Sequence, residues 1–282
     1  MILVFGKTGQ VATELQLLDD VMALGRDQAD LTNPSACAQA IFDLAPSAVI
    51  NAAAYTAVDR AEANELMATT INGNAPAAMA QACANLGIPL VHISTDYVFD
   101  GGGTKAWRPT DRGFPQNAYG RSKLVGEQAI YASGAIYAVL RTSWVVSAHG
   151  SNFVKTMLRL AETHNELNIV ADQIGGPTPA RDLAAACLSI AAQLKDDPEK
   201  SGVFHFCGAP NVSWLELASE IFEQTGLKVS LRSILTEEYA TPAKRPLNSR
   251  LDCSATKETF SISQPNWRVG LKYIFEKLEA TK

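Results

Sequence analysis

At residues 117–123, "NAYGRSK", a tyrosine stands four residues ahead of a lysine. On a helix that spacing puts both side chains on one face. There a phenol can give a proton to a reacting oxygen while a neighbouring ammonium stabilises the phenolate left behind. Composition alone also produces such pairs. Seven Tyr and twelve Lys in 282 residues predict about 0.3 of them by chance, and Tyr273 with Lys277 is a second. Tyr119 and Lys123 carry meaning only if other elements position them, whereas Tyr273 and Lys277 follow no glycine loop or polar strand end and read as a helix surface.

Five short apolar runs, at 2–5, 21–24, 48–50, 90–93 and 137–140, lack polar alternation. Helical patterns separate them, at 10–18, at 34–44, in an Ala-rich stretch ending at Gly87 and at about 119–131. Strands of this kind are parallel and buried on both faces, which predicts an α/β fold with a doubly wound parallel (Rossmann) sheet. Ligands of such sheets bind at the carboxyl ends of the strands. Beyond about Trp144, turn-rich stretches between helices such as 214–225 and 269–278 predict a smaller α/β substrate-binding lobe. The expected division is a dinucleotide-binding domain over 1–146 and a mainly substrate-binding remainder over 147–282. Within the latter a segment at about 165–195, "LNIVADQ" and the helix beginning near Arg181, is expected to return to the first sheet.

The chain start, "VFGKTGQVA", runs from strand to helix with Gly6 and Gly9 spaced as GxxG and Ala12 where a third glycine often stands. Such a turn lets phosphate approach the backbone and the helix N-terminus, so Gly6, Thr8, Gly9, Gln10 and Val11 are dinucleotide-binding candidates. No Gly-Lys-Ser/Thr follows, which excludes a Walker loop. After the second strand, Arg26 stands where an acid commonly meets the adenosine ribose. Together with Lys7 it suits a 2′-phosphate, favouring NADPH, with NADH the alternative; two solvated cations are the competing reading. Asp30 and Leu31 are placed to meet the adenine. Small residues in "NAAAYT" let the cofactor lie along the chain, making Ala54, Tyr55 and Thr56 further candidates. "STDY", residues 94–97, sets hydroxyls and a carboxylate at the end of the fourth strand, where a purely structural role is least expected.

The net charge is −5 with 24 basic residues spread along the chain, so no nucleic-acid footprint is present. No apolar run approaches the ~20 residues of a membrane span, and "MILVFG" has no leader pattern. Cys37, Cys83, Cys187, Cys207 and Cys253 are odd in number and lack metal-ligand spacing, which suits buried free thiols in the cytoplasm and predicts no metal. His92, His149, His164 and His205 fall in separate elements and receive no catalytic assignment.

"FGKTGQV", "NAAAYTAVDRAE", "STDYVFDG", "YGRSKLVGE", "RTSWV", "NFVKTMLRLA" and "RPLNSRLD" together resemble the extended short-chain dehydrogenase/reductase superfamily and, within it, the dTDP-4-dehydrorhamnose reductase family. The resemblance covers nearly the whole chain in order. It implies a cytoplasmic NAD(P)H-dependent oxidoreductase of dTDP-L-rhamnose synthesis that reduces the 4-keto group of a dTDP-sugar. Tyr119 would be proton donor, Lys123 would hold the nicotinamide ribose and lower the tyrosine pKa, and Thr95 would bond the carbonyl. On the substrate side it implies Asp96 for a sugar hydroxyl, Trp144 for a pyranose face, Asn152, and Arg245, Asn248 and Arg250 for the nucleotide diphosphate. A nucleotide-sugar 4,6-dehydratase would need a Glu where Tyr97 stands. A 4-epimerase, or a non-catalytic NADP-binding regulatory subunit like the beta subunit of methionine adenosyltransferase, remain alternatives. Some bacterial members share Mg²⁺ across a dimer through glutamates, but Arg181 occupies one such position here, which predicts no Mg²⁺ and a monomer or weak homodimer.

Overall fold

The alternation of side chains along each buried strand sets the layers. In a computed structural model, which describes residues 1–280, the first part of the chain forms β1 (Ile2–Phe5), α1 (Gln10–Leu18), β2 (Val21–Leu24), α2 (Pro34–Leu44), β3 (Ala48–Asn51), α3 (Val58–Ala63), α4 (Glu65–Thr69), α5 (Ala75–Leu86), β4 (Leu90–Thr95), α6 (Ala118–Ala132) and β5 (Tyr137–Thr142). With a sixth strand, Gly202–His205, they make one parallel sheet in the order Gly202–His205, β5, β4, β3, β1, β2. Val4, Ile50, Val91 and Leu140 point to the face covered by α1. Leu3, Phe5, Val49, Leu90 and Val139 point to the face covered by α2 and α5. The chain order reverses between β1 and β3, which opens a crevice at their carboxyl ends.

The fold is doubly wound as the apolar runs predict. β1, α1, β2 and α2 begin and end where expected, whereas β4 and β5 run on through polar residues because the ladder continues, Ser94 opposite Arg141 and Thr95 opposite Thr142. The strand-end hydroxyls are therefore held on the sheet itself.

The segment expected to return to the sheet divides in two. Helix Ala180–Asp196 does pack on it, with Leu183, Cys187, Ile190 and Leu194 in the same core as Val4 and Ile50. The "LNIV" stretch does not. Strand Glu166–Val170 pairs in parallel with Ser230–Ile234 in a separate two-stranded sheet. The cause is its half-buried pattern, Glu166 and Asn168 out, Leu167 and Ile169 in, against Leu217, Trp267 and Leu271 of the second core. Strand Gly202–His205, beside β5, takes the sheet position instead. Among the described residues no helix is long and apolar enough to cross a membrane, and all five cysteines are buried and unbridged.

Candidate active site

Gly6 turns the chain out of β1 at φ +104°, and a Cβ there would sit 3.4 Å from the Ala52 backbone, so only glycine fits without strain. Gly9 caps α1 and no side chain closes the cap, so the first helical amides, those of Gln10 and Val11, are left for an external acceptor. Thr8 is exposed beside them. The Gln10 side chain faces away from that phosphate position. It donates to Val145 O at 3.3 Å and accepts from Ser147 and Asn152, both at 2.9 Å. Lys7 and Arg26 are exposed at the end of β2, and a carboxylate oxygen of Asp27 lies 2.5 Å from where a Gly25 Cβ would be. Asp27 was not singled out from the sequence. Asp30 accepts the Thr32 N–H, which, with Arg26 nearby, holds its carboxyl below the usual range. Leu31 is buried.

A five-residue π-turn, Thr70–Asn74, carries a residue that the sequence reading missed. Asn72 accepts from Tyr55 N at 2.8 Å and donates to Tyr55 O at 3.0 Å and to Ser122 Oγ at 2.9 Å. It thereby ties the turn bearing Ala54, Tyr55 and Thr56 to α6. Its signal was an Asn-Gly pair interrupting an Ala-rich helical run. Gly126 lies so close to the Asn72 carbonyl that any side chain would collide. At the start of α6 Asn117 caps Gly120 N at 2.8 Å and donates to Lys244 O at 2.9 Å. Gly120 sits against the Tyr97 carbonyl with no room for a Cβ. That contact brings Tyr119 beside the end of β4, where its ring meets Tyr97 edge-on at 5.5 Å.

Burial pushes the Tyr119 phenol up to about 12; the Thr95 hydroxyl beside it opposes the rise and the Asp96 charge adds to it. Lys123 follows one turn on along α6. Its Nζ is turned to β4, donating to Ile93 O at 2.7 Å and lying 3.1 Å from His92 Nε2. Burial brings the Lys123 ammonium itself down to about 8. His92, left unassigned by its isolation in the sequence, is fully buried directly behind Lys123.

The Asp96 carboxyl is buried, accepts from Thr95 Oγ1 at 3.0 Å through one oxygen and leaves the other unpaired. Ser249, which the sequence reading passed over, faces it. Burial raises Asp96 to about 6, and the Ser249 hydroxyl opposes that rise, yet Ser249 Oγ completes no hydrogen bond. Two unsatisfied polar atoms beside Tyr119 can take an external hydroxyl. The native Asp96 holds its proton to higher pH than the ordinary carboxyl near 3.9 of the unfolded chain, so stability falls as pH rises through the window from about 4 to 6. Asp96→Asn is therefore expected to stabilise the fold by about 1–3 kcal/mol at pH 7 and by little at pH 4. Urea midpoints at the two pH values check it.

Trp144 holds a left-handed backbone, φ +49°, and stacks face to face on Trp214 at 3.6 Å. Its edge fits against Gly175, where a Cβ would come within 2.9 Å of the indole. One indole face is thus covered by protein. Asn152 straps the loop after β5 to the start of the next helix. It caps Lys155 N, and its amide hydrogens go to Gln10, Ser147 O and His149 O. Asn248 is another strap, donating to Gly102 O and Lys105 O and accepting from Arg250. The amide hydrogens of both residues are taken up within the protein. Arg245 pairs with Asp59 at 2.6 Å, fastening the later segment to α3, but keeps a buried Nη1 unpaired. Arg250 donates through Nη1 to Asn248 Oδ1 at 3.0 Å.

Thr95 and Tyr119 thus stand together at the carboxyl end of β4, on the same edge of the sheet as the Gly6 turn and the open first amides of α1. That union of sheet and site is the plan of an extended short-chain dehydrogenase/reductase. The RmlD substrate binding domain model matches residues 1–280. The dTDP-4-dehydrorhamnose reductase of Sinorhizobium fredii is 44 % identical over 94 % of this chain and 93 % of its own. A crystal structure of a dTDP-4-dehydrorhamnose reductase from Clostridium acetobutylicum superposes with TM-score 0.91 at 37 % identity, covering 99 % of both chains. One from Bacillus anthracis, solved in complex with NADP, superposes with TM-score 0.90 at 34 % identity and 98 % of both. The chain belongs to the dTDP-4-dehydrorhamnose reductase family.

Proposed function

We propose that the protein reduces the 4-keto group of dTDP-4-dehydro-L-rhamnose to give dTDP-L-rhamnose, with NADPH as the preferred reductant and NADH as the second. The observation that carries this reading is the placement of Tyr119 on α6, one turn before Lys123 and edge-on to Tyr97, beside the polar end of β4 that bears Thr95 and Asp96. The loop suits the dinucleotide, since Gly6 permits close approach and the cap of α1 is open. When bound, the nicotinamide supplies the hydride. Thr95 aligns the carbonyl, Tyr119 protonates its oxygen, and Lys123 stabilises the resulting phenolate. Asp96 and Ser249 take a sugar hydroxyl. The Nη1 of Arg245 and the side chain of Arg250 face the diphosphate, and the uncovered side of Trp144 faces the pyranose. Lys7 and Arg26 favour the 2′-phosphate, while Asp27 can accept a free ribose hydroxyl and so admits NADH.

In this reading residues 1–146, with helix Ala180–Asp196 and strand Gly202–His205, hold the cofactor, and the remainder holds the sugar nucleotide. Purified protein given NADPH and the keto sugar should consume both in equal amounts. Interconversion of sugars without net cofactor loss would favour the epimerase, and cofactor binding with no reaction the regulatory subunit.

We read the assembly as a monomer or weak homodimer without Mg²⁺. Arg181 donates to the Tyr273 hydroxyl at 2.7 Å, lies over that ring at 4.6 Å and approaches buried Glu14 at 3.9 Å, a cation already serving this carboxylate. Light scattering should give one mass with and without Mg²⁺, and a metal-dependent dimer is the contrary result.

A further inference from the structure

Asn51, His92 and Lys123 form a buried polar row under the site, each at most 1 % exposed. Its hydrogens can be assigned from the partners at its ends. The Ala53 N–H donates to Asn51 Oδ1 at 3.1 Å, which fixes the amide, so Asn51 Nδ2 is the group 3.0 Å from His92 Nδ1 and must donate to it. Nδ1 is therefore an acceptor. Burial keeps the imidazole neutral, so its single hydrogen is on Nε2 and points at Lys123 Nζ, 3.1 Å away. An ammonium has three donors and no lone pair and cannot accept that hydrogen. A neutral amine can, while still donating to Ile93 O at 2.7 Å.

We propose that, in the cofactor-free protein at alkaline pH, His92 holds Lys123 as a neutral amine through its Nε2–H, and that Lys123 takes up a proton when the reduced cofactor binds. His92 is then a positioning residue that carries the lysine in its uncharged form. The inference rests on the reading that Lys123 meets the nicotinamide ribose. Ribose oxygens accept hydrogen bonds and the cofactor phosphates are anionic, so both favour the ammonium. The other groups facing Lys123 do not replace this partner. On its own helix Tyr119 lies one turn back and Glu127 one turn on, and the Glu127 carboxylate is taken by Arg141 from β5 and Ser94 from β4. Asp96 lies beyond Tyr119, bonded to Thr95.

Burial lowers Lys123 to about 8, so the amine is the main form above that pH. Titration calorimetry of NADPH binding, in buffers of different ionisation heat, counts the protons taken up. At pH 9 uptake should be about nine-tenths of a proton per NADPH, and at pH 7 about one-tenth. Lys123→Met should abolish it. His92→Gln, which can keep an N–H towards the lysine, should retain it. His92→Glu, whose carboxylate accepts from both Asn51 and Lys123, should hold the lysine charged and remove it. NADPH binding by the unaltered protein at pH 9 without uptake, or uptake that persists in Lys123→Met, overturns the proposal. Absence of NADPH binding at either pH would overturn the functional reading instead.

Discussion

Tyr119→Phe is expected to lower turnover by about 10²- to 10⁴-fold, the usual worth of a positioned general acid, while leaving NADPH affinity within about twofold. The ring stays edge-on to Tyr97 at 5.5 Å and packed beside Tyr55 and Ala118, so the substitution removes one buried hydroxyl and no packing. What it removes is the one phenol on α6 that stands beside Thr95, and with it the proton the reaction needs. Steady-state rates and a fluorescence titration of NADPH separate the two effects. An unchanged rate would remove Tyr119 from the reaction.

The largest effect on stability is expected for Arg141→Met, a loss of about 3–5 kcal/mol, because it leaves a buried carboxylate uncompensated. Arg141 forks onto Glu127 through Nε at 3.0 Å and Nη2 at 2.6 Å, both residues being nearly inaccessible. Its Nη1 donates to Pro109 O at 3.2 Å, and the guanidinium lies over Phe99, itself stacked on Trp107 at 4.6 Å. The Ser94 hydroxyl also donates to Glu127. This one carboxylate therefore joins the end of β5 to the end of β4, which carries Thr95, and to α6, which carries Tyr119 and Lys123. Urea midpoints should fall accordingly, and Arg141→Met with Glu127→Leu should recover most of the loss, since replacing a whole buried pair by apolar groups is often neutral. A single-variant loss below about 1 kcal/mol would contradict the account.

These two sites differ in how well the sequence exposes them. Tyr119 could be found because its meaning comes from local spacing and from motifs at strand ends, which the apolar runs locate to the residue for β1 and β2. Arg141 and Glu127 could not, since charge next to apolar residues does not say which partner lies across the fold. Asn152 and Asn248 show the converse. An amide near a site reads the same whether it faces a ligand or straps a loop, and only the tertiary acceptors decide. His92 did leave a trace. It is a polar residue in the middle of "LVHI" in a strand buried on both faces, where a polar group demands a partner. Asn51, closing a fully buried strand, was the corresponding trace on the neighbouring strand. The misplaced "LNIV" strand is a period error, an alternating half-buried pattern treated as a two-faced one.

The central claim is that this site delivers a hydride from the cofactor to the sugar carbonyl while Tyr119 protonates the oxygen. The most direct test follows NADPH deuterated on the transferred position of its nicotinamide, mixed with dTDP-4-dehydro-L-rhamnose and the purified protein. The account predicts one deuterium at C4 of the dTDP-L-rhamnose formed for each cofactor oxidised, and none with Tyr119→Phe over the same interval. Cofactor that binds yet keeps its deuterium, or a product carrying none at C4, would contradict it.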